Sequence, residues 1–333
     1  MKMPAPSSSW VRQLRIPTPF PVGPTNCWLI LREPVTLIDA GPETPEAAAA
    51  LEAALADNGI TASAIERLLL THGHHDHFGA GAWLARKSPR MTVFGSPKDA
   101  RHFRKDRNMG ALRVRLGRSG VPPAVQDEIT GSIESIDRFA SVIENLSPLH
   151  GGESLEGDGY RIEIVSTPGH TPGSLSFRIV DSGDEADLLV TGDTVLARIT
   201  PNAVIDTDPD DPAREYSSLS HYVRTLESIA EMKPGRLLTG HGDVIDDYPV
   251  HLIRQRKLQQ MRREQILRHL SAGRPLSAWD LMQKVFPAVL HFEFFLAYSE
   301  VLGNLMWLED RAEVVRGLES GVELFRVQGD AFR

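Results

Sequence analysis

Five of the seven residues in Thr71-His72-Gly73-His74-His75-Asp76-His77 carry an imidazole or a carboxylate. The apolar run Arg67–Leu70 precedes this segment and a helix is predicted over Gly79–Arg86, so the cluster falls on a loop between a buried strand and a helix. Such a loop can turn several side chains into one space. His72 and His74, two apart in an extended stretch, project to the same side. Asp76 and His77 then turn into the helix and can serve a second ion close by. His75 fills the intervening position and is expected to point away from the ions, toward substrate or solvent.

Three further candidates stand just after predicted strands. Thr167-Pro168-Gly169-His170-Thr171-Pro172-Gly173 follows Arg161–Val165, Thr191-Gly192-Asp193-Thr194 follows Leu188–Val190, and Thr239-Gly240-His241-Gly242 follows Arg236–Leu238. In each, glycine removes side-chain bulk and lets the backbone crowd a metal centre. Any one alone reads as an ordinary turn; together with the histidine cluster they read as a ligand set. His102, His150, His221, His251, His269 and His291 have no such setting and read as surface or packing residues. The single cysteine, Cys27, excludes an intramolecular disulfide and a zinc site built on cysteine pairs, and reads as a core residue.

The rest of the chain shows strands and helices interspersed without strict alternation, which predicts a mixed α/β sandwich. Residues 1–19 read as a flexible lead-in, with Pro4, Pro6 and Ser7–Ser9 burying nothing. Cys27–Leu31 and Val35–Ile38 flank a turn and predict a hairpin; Thr44-Pro45 predicts a capped helix ending at Asn58-Gly59. Residues 97–147 form a largely helical insertion. Near Tyr248-Pro249 the composition shifts, and three helices followed by two short strands over residues 251–333 have the order of a winged-helix domain. The 333 residues carry a net charge of −8, so the chain as a whole does not look like a nucleic-acid or anionic-membrane binder. No membrane span or signal peptide is legible, and the expected location is the cytoplasm.

The residues His72, His74, Asp76, His77, His170, Asp193 and His241, in that order, resemble the metallo-β-lactamase fold superfamily over roughly residues 20–248. The resemblance implies an αββα four-layer sandwich over residues 20–250. It also implies that His72, His74 and His170 hold one divalent metal ion, that Asp76, His77 and His241 hold a second, and that Asp193 bridges both. Asp39, in Leu37-Ile38-Asp39-Ala40-Gly41, matches a position that orients the ligand loop. A hydroxide between the metals is the implied nucleophile, with Asp76 as the catalytic residue that positions it and passes a proton to the leaving group. The nitrogen and oxygen donors suit two Zn²⁺, with Fe or Mn compatible, and point away from the lactamase subclass that uses cysteine. The domain order is similar to the branch that includes the mitochondrial β-lactamase-like endoribonuclease.

Substrate has to be argued from the site. Between Lys98 and Arg118 eight basic residues stand against Asp99 and Asp106. As a lid over the metals, this segment would bring Arg101, Arg104 and Arg107 to a small anionic ester or thioester, or to an RNA backbone; charge runs of this kind also occur as solvated faces. The third C-terminal helix, from about His291 to Leu308, has no Lys or Arg and carries Glu293 and Glu300. Its apolar residues read as packing against the catalytic domain or a second subunit, so a DNA-reading role is disfavoured and a homo-oligomer is an open expectation. A thioester or ester hydrolase similar to hydroxyacylglutathione hydrolase is the leading expectation. An endoribonuclease or a lactonase is the alternative.

Overall fold

The computed structural model describes residues 10–183, 187–211, 214–271, 273–290 and 293–329. Alternation inside single strands dictates the layers. In β2 (Thr25–Ile30), Cys27 and Leu29 join one core while Trp28 and Ile30 join another, and the whole strand is buried. A strand apolar on both faces has to be covered twice.

β2 lies in a six-stranded sheet, between β1 (Val11–Ile16) and β3 (Thr36–Ile38), followed by β4 (Arg67–Leu69), β5 (Thr92–Gly95) and β6 (Ser147–Pro148). The first three strands are antiparallel, and β3 to β6 are parallel. The second sheet runs in reverse chain order: β11 (Arg236–Thr239), β10 (Leu188–Gly192), β9 (Leu175–Asp181), β8 (Tyr160–Ser166) and β7 (Ser154–Gly157). Trp28, Ile38 and Leu69 from the first sheet meet Ile162, Phe177 and Leu238 from the second in a shared central core.

Helices close both outer faces. α1 (Pro45–Asp57), α2 (His75–Phe78), α3 (Gly81–Lys87) and α4 (Ala100–Phe103) cover the first sheet through Leu51, Leu55, Phe78, Leu84 and Phe103. α7 (Ser218–Met232) and the start of α8 (Tyr248–Leu270) cover the second through Tyr222, Leu226, Ile229 and Leu252. This is the four-layer αββα sandwich. The hairpin and the first helix form where the sequence predicts them, and Thr44 Oγ1 caps α1 by accepting from Ala47 N at 3.1 Å. A cap of this kind contributes about 1 kcal/mol.

The molecule departs from the sequence expectations in three places. The lead-in expected through residue 19 is in part a strand: Val11, Leu14 and Ile16 are buried in β1, while residues 1–9 lie outside the described residues. Its apolar spacing is irregular and Pro17 follows at once, so the segment lacks a strand's usual signature. The insertion also packs against the C-terminal unit, which the sequence does not suggest. α5 (Met109–Arg118), α6 (Pro123–Ser135) and the turn between them place Leu116, Ile129 and Val121 in one core with Leu281, Val301 and Phe325 of the C-terminal unit. Ser119 Oγ and Tyr298 Oη, 2.8 Å apart, join the two by a buried hydrogen bond.

That C-terminal unit contains α8, α9 (Ala278–Val285), α10 (Phe294–Asp310) and a three-stranded sheet. An unexpected short strand, β12 (Leu276–Ser277), adds to the hairpin of β13 (Val314–Glu319) and β14 (Val322–Val327). His291 lies outside the described residues, and α10 begins at Phe294. Tyr298, Val301, Leu302, Leu305 and Leu308 fill the core of this unit, so the apolar face of α10 is covered within the chain. Among the described residues, no helix is long and apolar enough to cross a membrane.

Candidate metal centre

The ligand candidates stand on loops at one edge of the two sheets. β4 delivers Thr71 and His72, and α2 begins inside the motif itself, so His75, Asp76 and His77 lie on a helical turn. Continuations of β8, β10 and β11 deliver His170, Asp193 and His241. All but His74 are buried.

Their donor atoms converge. His74 Nδ1 lies 3.0 Å from both His72 Nε2 and His170 Nε2. On the other side His241 Nε2 lies 3.3 Å from His77 Nε2 and 3.2 Å from Asp76 Oδ2. Asp193 stands between, with Oδ1 3.3 Å from His77 Nε2, and Oδ2 3.5 Å from His241 Nε2 and 3.8 Å from His170 Nε2. Three overlapping groups could each hold an ion: His72, His74 and His170; His72, His77 and Asp193; Asp76, His77 and His241.

The chemistry of these contacts fits a cation. Four rings have Nδ1 committed outward: His72 to Thr71 Oγ1 at 3.0 Å, His77 to Asp39 Oδ2 at 2.7 Å, His170 to Asn202 O at 2.8 Å, and His241 to Pro24 O at 3.0 Å. With the proton on Nδ1, each Nε2 presents a lone pair inward. Lone pairs facing one another about 3.3 Å apart have the spacing of donors around one metal bonded at about 2.0–2.1 Å. The crowding extends to the backbone: a Cβ on Gly240 would lie 2.3 Å from Asp193 Oδ1.

Titration follows the same division. Burial, with the imidazoles of His77, His74, His170 and His241, holds His72 well below its ordinary value. Burial and His170 do the same to His74, and burial lowers His170 against the pull of Asp193. These three are neutral ligands in waiting. Burial opposes ionisation of Asp76 and Asp193 as well, yet the nearby imidazoles, chiefly His77 for the first and His241 for the second, keep both carboxylates charged. The two carboxylates in turn raise His77 and His241 against the burial of those rings, so positive charge on His77 and His241 balances Asp76 and Asp193 where a cation would otherwise do so.

Asp39 sits beneath the loop with φ of 60°, a left-handed conformation that a short polar side chain tolerates. It accepts from Thr71 N at 2.9 Å and Thr71 Oγ1 at 2.8 Å as well as from His77. One buried carboxylate thus reaches His77 directly and His72 through Thr71.

Asp99 is legible in the sequence only as an offset to a basic run, and the structure puts it at the centre. It is fully buried and accepts from Gly73 N at 2.8 Å, Gly173 N at 2.7 Å and Thr171 Oγ1 at 2.7 Å. It ties the His72–His74 loop to the His170 loop. No local pattern signals this, because the three donors come from distant segments.

The basic residues of the insertion are largely neutralised. Arg101 pairs with Asp206 and donates to Thr207 O at 3.1 Å, and Arg107 pairs with Asp137. Lys98, Arg113 and Arg115 pair with Asp210, Asp127 and Glu215. Arg104 is exposed. His102 Nε2 donates to Asp206 Oδ2 at 2.9 Å, and burial and Arg101 push its pKa down to about 3, so this histidine is a neutral ring bonded within the fold.

His75 faces neither ions nor solvent. Its Nε2 donates to Asp137 Oδ1 at 3.0 Å, and burial and Arg107 push its pKa down to about 4 despite that carboxylate. The folded protein keeps this ring neutral where the unfolded chain would protonate it. Its contribution is therefore complete above pH 6.5 and is lost as pH falls from 6.5 toward 4. The shift corresponds to roughly 3 kcal/mol at the acid end. Urea unfolding of wild type and His75→Gln at about pH 7 and about pH 4.5 should give a shallower acid loss in the variant; equal losses would exclude this origin.

Comparison with known proteins agrees with the geometry. The metallo-beta-lactamase superfamily model matches residues 20–241. A Bacillus subtilis (strain 168) protein named probable metallo-hydrolase YqjP is 29% identical over 320 residues, covering 94% of this chain and 96% of its own. The crystal structure of a metallo-beta-lactamase family protein from Thermus thermophilus superposes with a TM-score of 0.80 at 26% identity, over 96% of this chain and 98% of the other. A beta-lactamase domain protein from Burkholderia ambifaria shares the fold, with a TM-score of 0.77 at 23% identity over 96% of this chain and 93% of its own. The chain therefore belongs to the metallo-beta-lactamase superfamily.

Proposed function

We propose that the protein is a metal-dependent hydrolase of a small ester or thioester. His72, His74 and His170 would hold one divalent ion, Asp76, His77 and His241 a second, with Asp193 shared between them. The convergence of these seven side chains, four of them with Nδ1 anchored outward, carries the reading. Zinc suits the nitrogen and oxygen donors, and iron or manganese is compatible.

Bound ions would supply Lewis acidity to water and to the carbonyl under attack. The chain's own contribution is placement and proton handling. Asp76, held ionised beside His241, is the group placed to take a proton from water and return it to the leaving group. Asp39 and Asp99 hold the two ligand loops in register.

A small substrate is favoured over RNA because the basic insertion is paired internally and α10 has no Lys or Arg. The helices and hairpin after residue 250 would then be a winged-helix-like domain with a structural task. The test is thiol release from lactoylglutathione and from a short acyl-coenzyme A by metal-reconstituted protein, with His170→Ala alongside. Turnover that disappears in the variant is expected. Fully metallated protein that leaves both thioesters intact and cleaves single-stranded RNA would overturn the substrate class.

A further inference from the structure

The C-terminal unit reaches the His170 side of the metal centre through Asn202. Asn202 sits between β10 and α7, and its backbone carbonyl accepts from His170 Nδ1 at 2.8 Å. Its side chain looks the other way: Asn202 Nδ2 donates to Leu296 O, in the first turn of α10, at 2.7 Å. The segment that follows is held on both sides. Val204 N donates back to His170 O at 3.4 Å, while Ile205 is buried in the core of the C-terminal unit. Farther along, Glu215 pairs with Arg115 of the insertion and lies 3.8 Å from Arg316 of β13.

The ring nitrogen that faces a metal is selected by the hydrogen bond its other nitrogen makes, and the rigidity of that acceptor fixes the ring plane. Here the acceptor belongs to a loop carbonyl, which has no sheet or helix of its own to hold it. At Asn202 itself the side-chain tie to α10 is what holds it. We infer that the C-terminal helical unit sets the orientation of His170 through Asn202, which makes Asn202 a positioning residue of the metal centre. The unit's task is then to complete the metal site.

This rests on His170 being a ligand, and the experiment separates the two claims. Asn202→Ala keeps the carbonyl that His170 uses and removes only the tie to α10; Asn202→Asp keeps the shape and cannot donate. Zinc affinity is measured by competition with a chromophoric chelator, and the cobalt-substituted spectrum of each protein is recorded. Both variants are expected to bind one metal equivalent about 10-fold more weakly, with an altered cobalt spectrum. Gly303→Ala, on the same helix, is the control: its Cβ would meet Leu219 Cβ at 3.7 Å and Ala203 O at 4.0 Å, ordinary contacts that leave the tie alone. If His170→Ala retains both equivalents at wild-type affinity, the ligand reading is wrong. If His170→Ala loses one and both Asn202 variants bind and absorb as wild type does, the coupling through α10 is wrong. Should the alanine variant not fold, the aspartate variant decides.

Discussion

Asp193→Ala is expected to lower turnover by about 1,000-fold and to leave the protein with less than two equivalents of metal. Its two oxygens face His77, His170 and His241, so it touches both halves of the cluster. Loss of a ligand shared as proposed would remove several kcal/mol of charge stabilisation, and each ~1.36 kcal/mol is tenfold in rate. It also leaves His77 without Asp193, the leading opponent of the burial that disfavours its cationic form. Asp193→Asn keeps the volume and supplies a weaker donor, so it should retain more metal than the alanine variant. Metal content by atomic emission and turnover on the same preparations provide the check. A variant with two tightly held equivalents and the wild-type rate would remove Asp193 from the centre.

Asp99→Ala should be the most destabilising single change outside the ligands, by about 4 kcal/mol. It orphans two buried donors at once, Gly73 N and Gly173 N, and leaves Thr171 Oγ1 only Ser174 Oγ at 2.9 Å; each unsatisfied buried donor costs about 1–3 kcal/mol. Gly173 packs directly on this carboxylate, since a Cβ there would lie 2.5 Å from Asp99 Oδ1. Metal affinity should fall with stability, since the loops that separate are those carrying His72, His74 and His170. Asp99→Asn tests the mechanism: its single carbonyl oxygen cannot replace both acceptors, and its amide would point N–H at N–H. Chemical denaturation of metal-loaded protein measures the loss. A cost under about 1 kcal/mol for both variants would show that water or a neighbour satisfies those donors.

The site's raw materials were legible because they obey local rules. A ligand loop after a buried strand, and single His or Asp residues flanked by glycine after three more strands, are patterns of adjacent residues. The sandwich was legible because short apolar strands and helices are interspersed without strict alternation, and the folded β2 and β10 feed cores on both faces. What misled was the charge run from Lys98 to Arg118. Its neutralising partners Asp206, Asp137, Asp127, Asp210 and Glu215 all stand outside that run in sequence, so charge counting sees an unbalanced patch that folding removes.

The sequence by itself determined which side chains could bind metal and which strands had to be covered on both faces, because residue type and spacing along a strand or loop decide both. Tertiary structure alone decided how those ligands are held. Asp39, Asp99 and Asn202 act on loops far from themselves in sequence, and a hydrogen bond between distant segments leaves no trace in either one until the chain has folded. The same holds for the insertion and the C-terminal unit: each is amphipathic on its own terms, and only packing reveals that Leu116, Val121 and Ile129 belong to the core of Leu281, Val301 and Phe325.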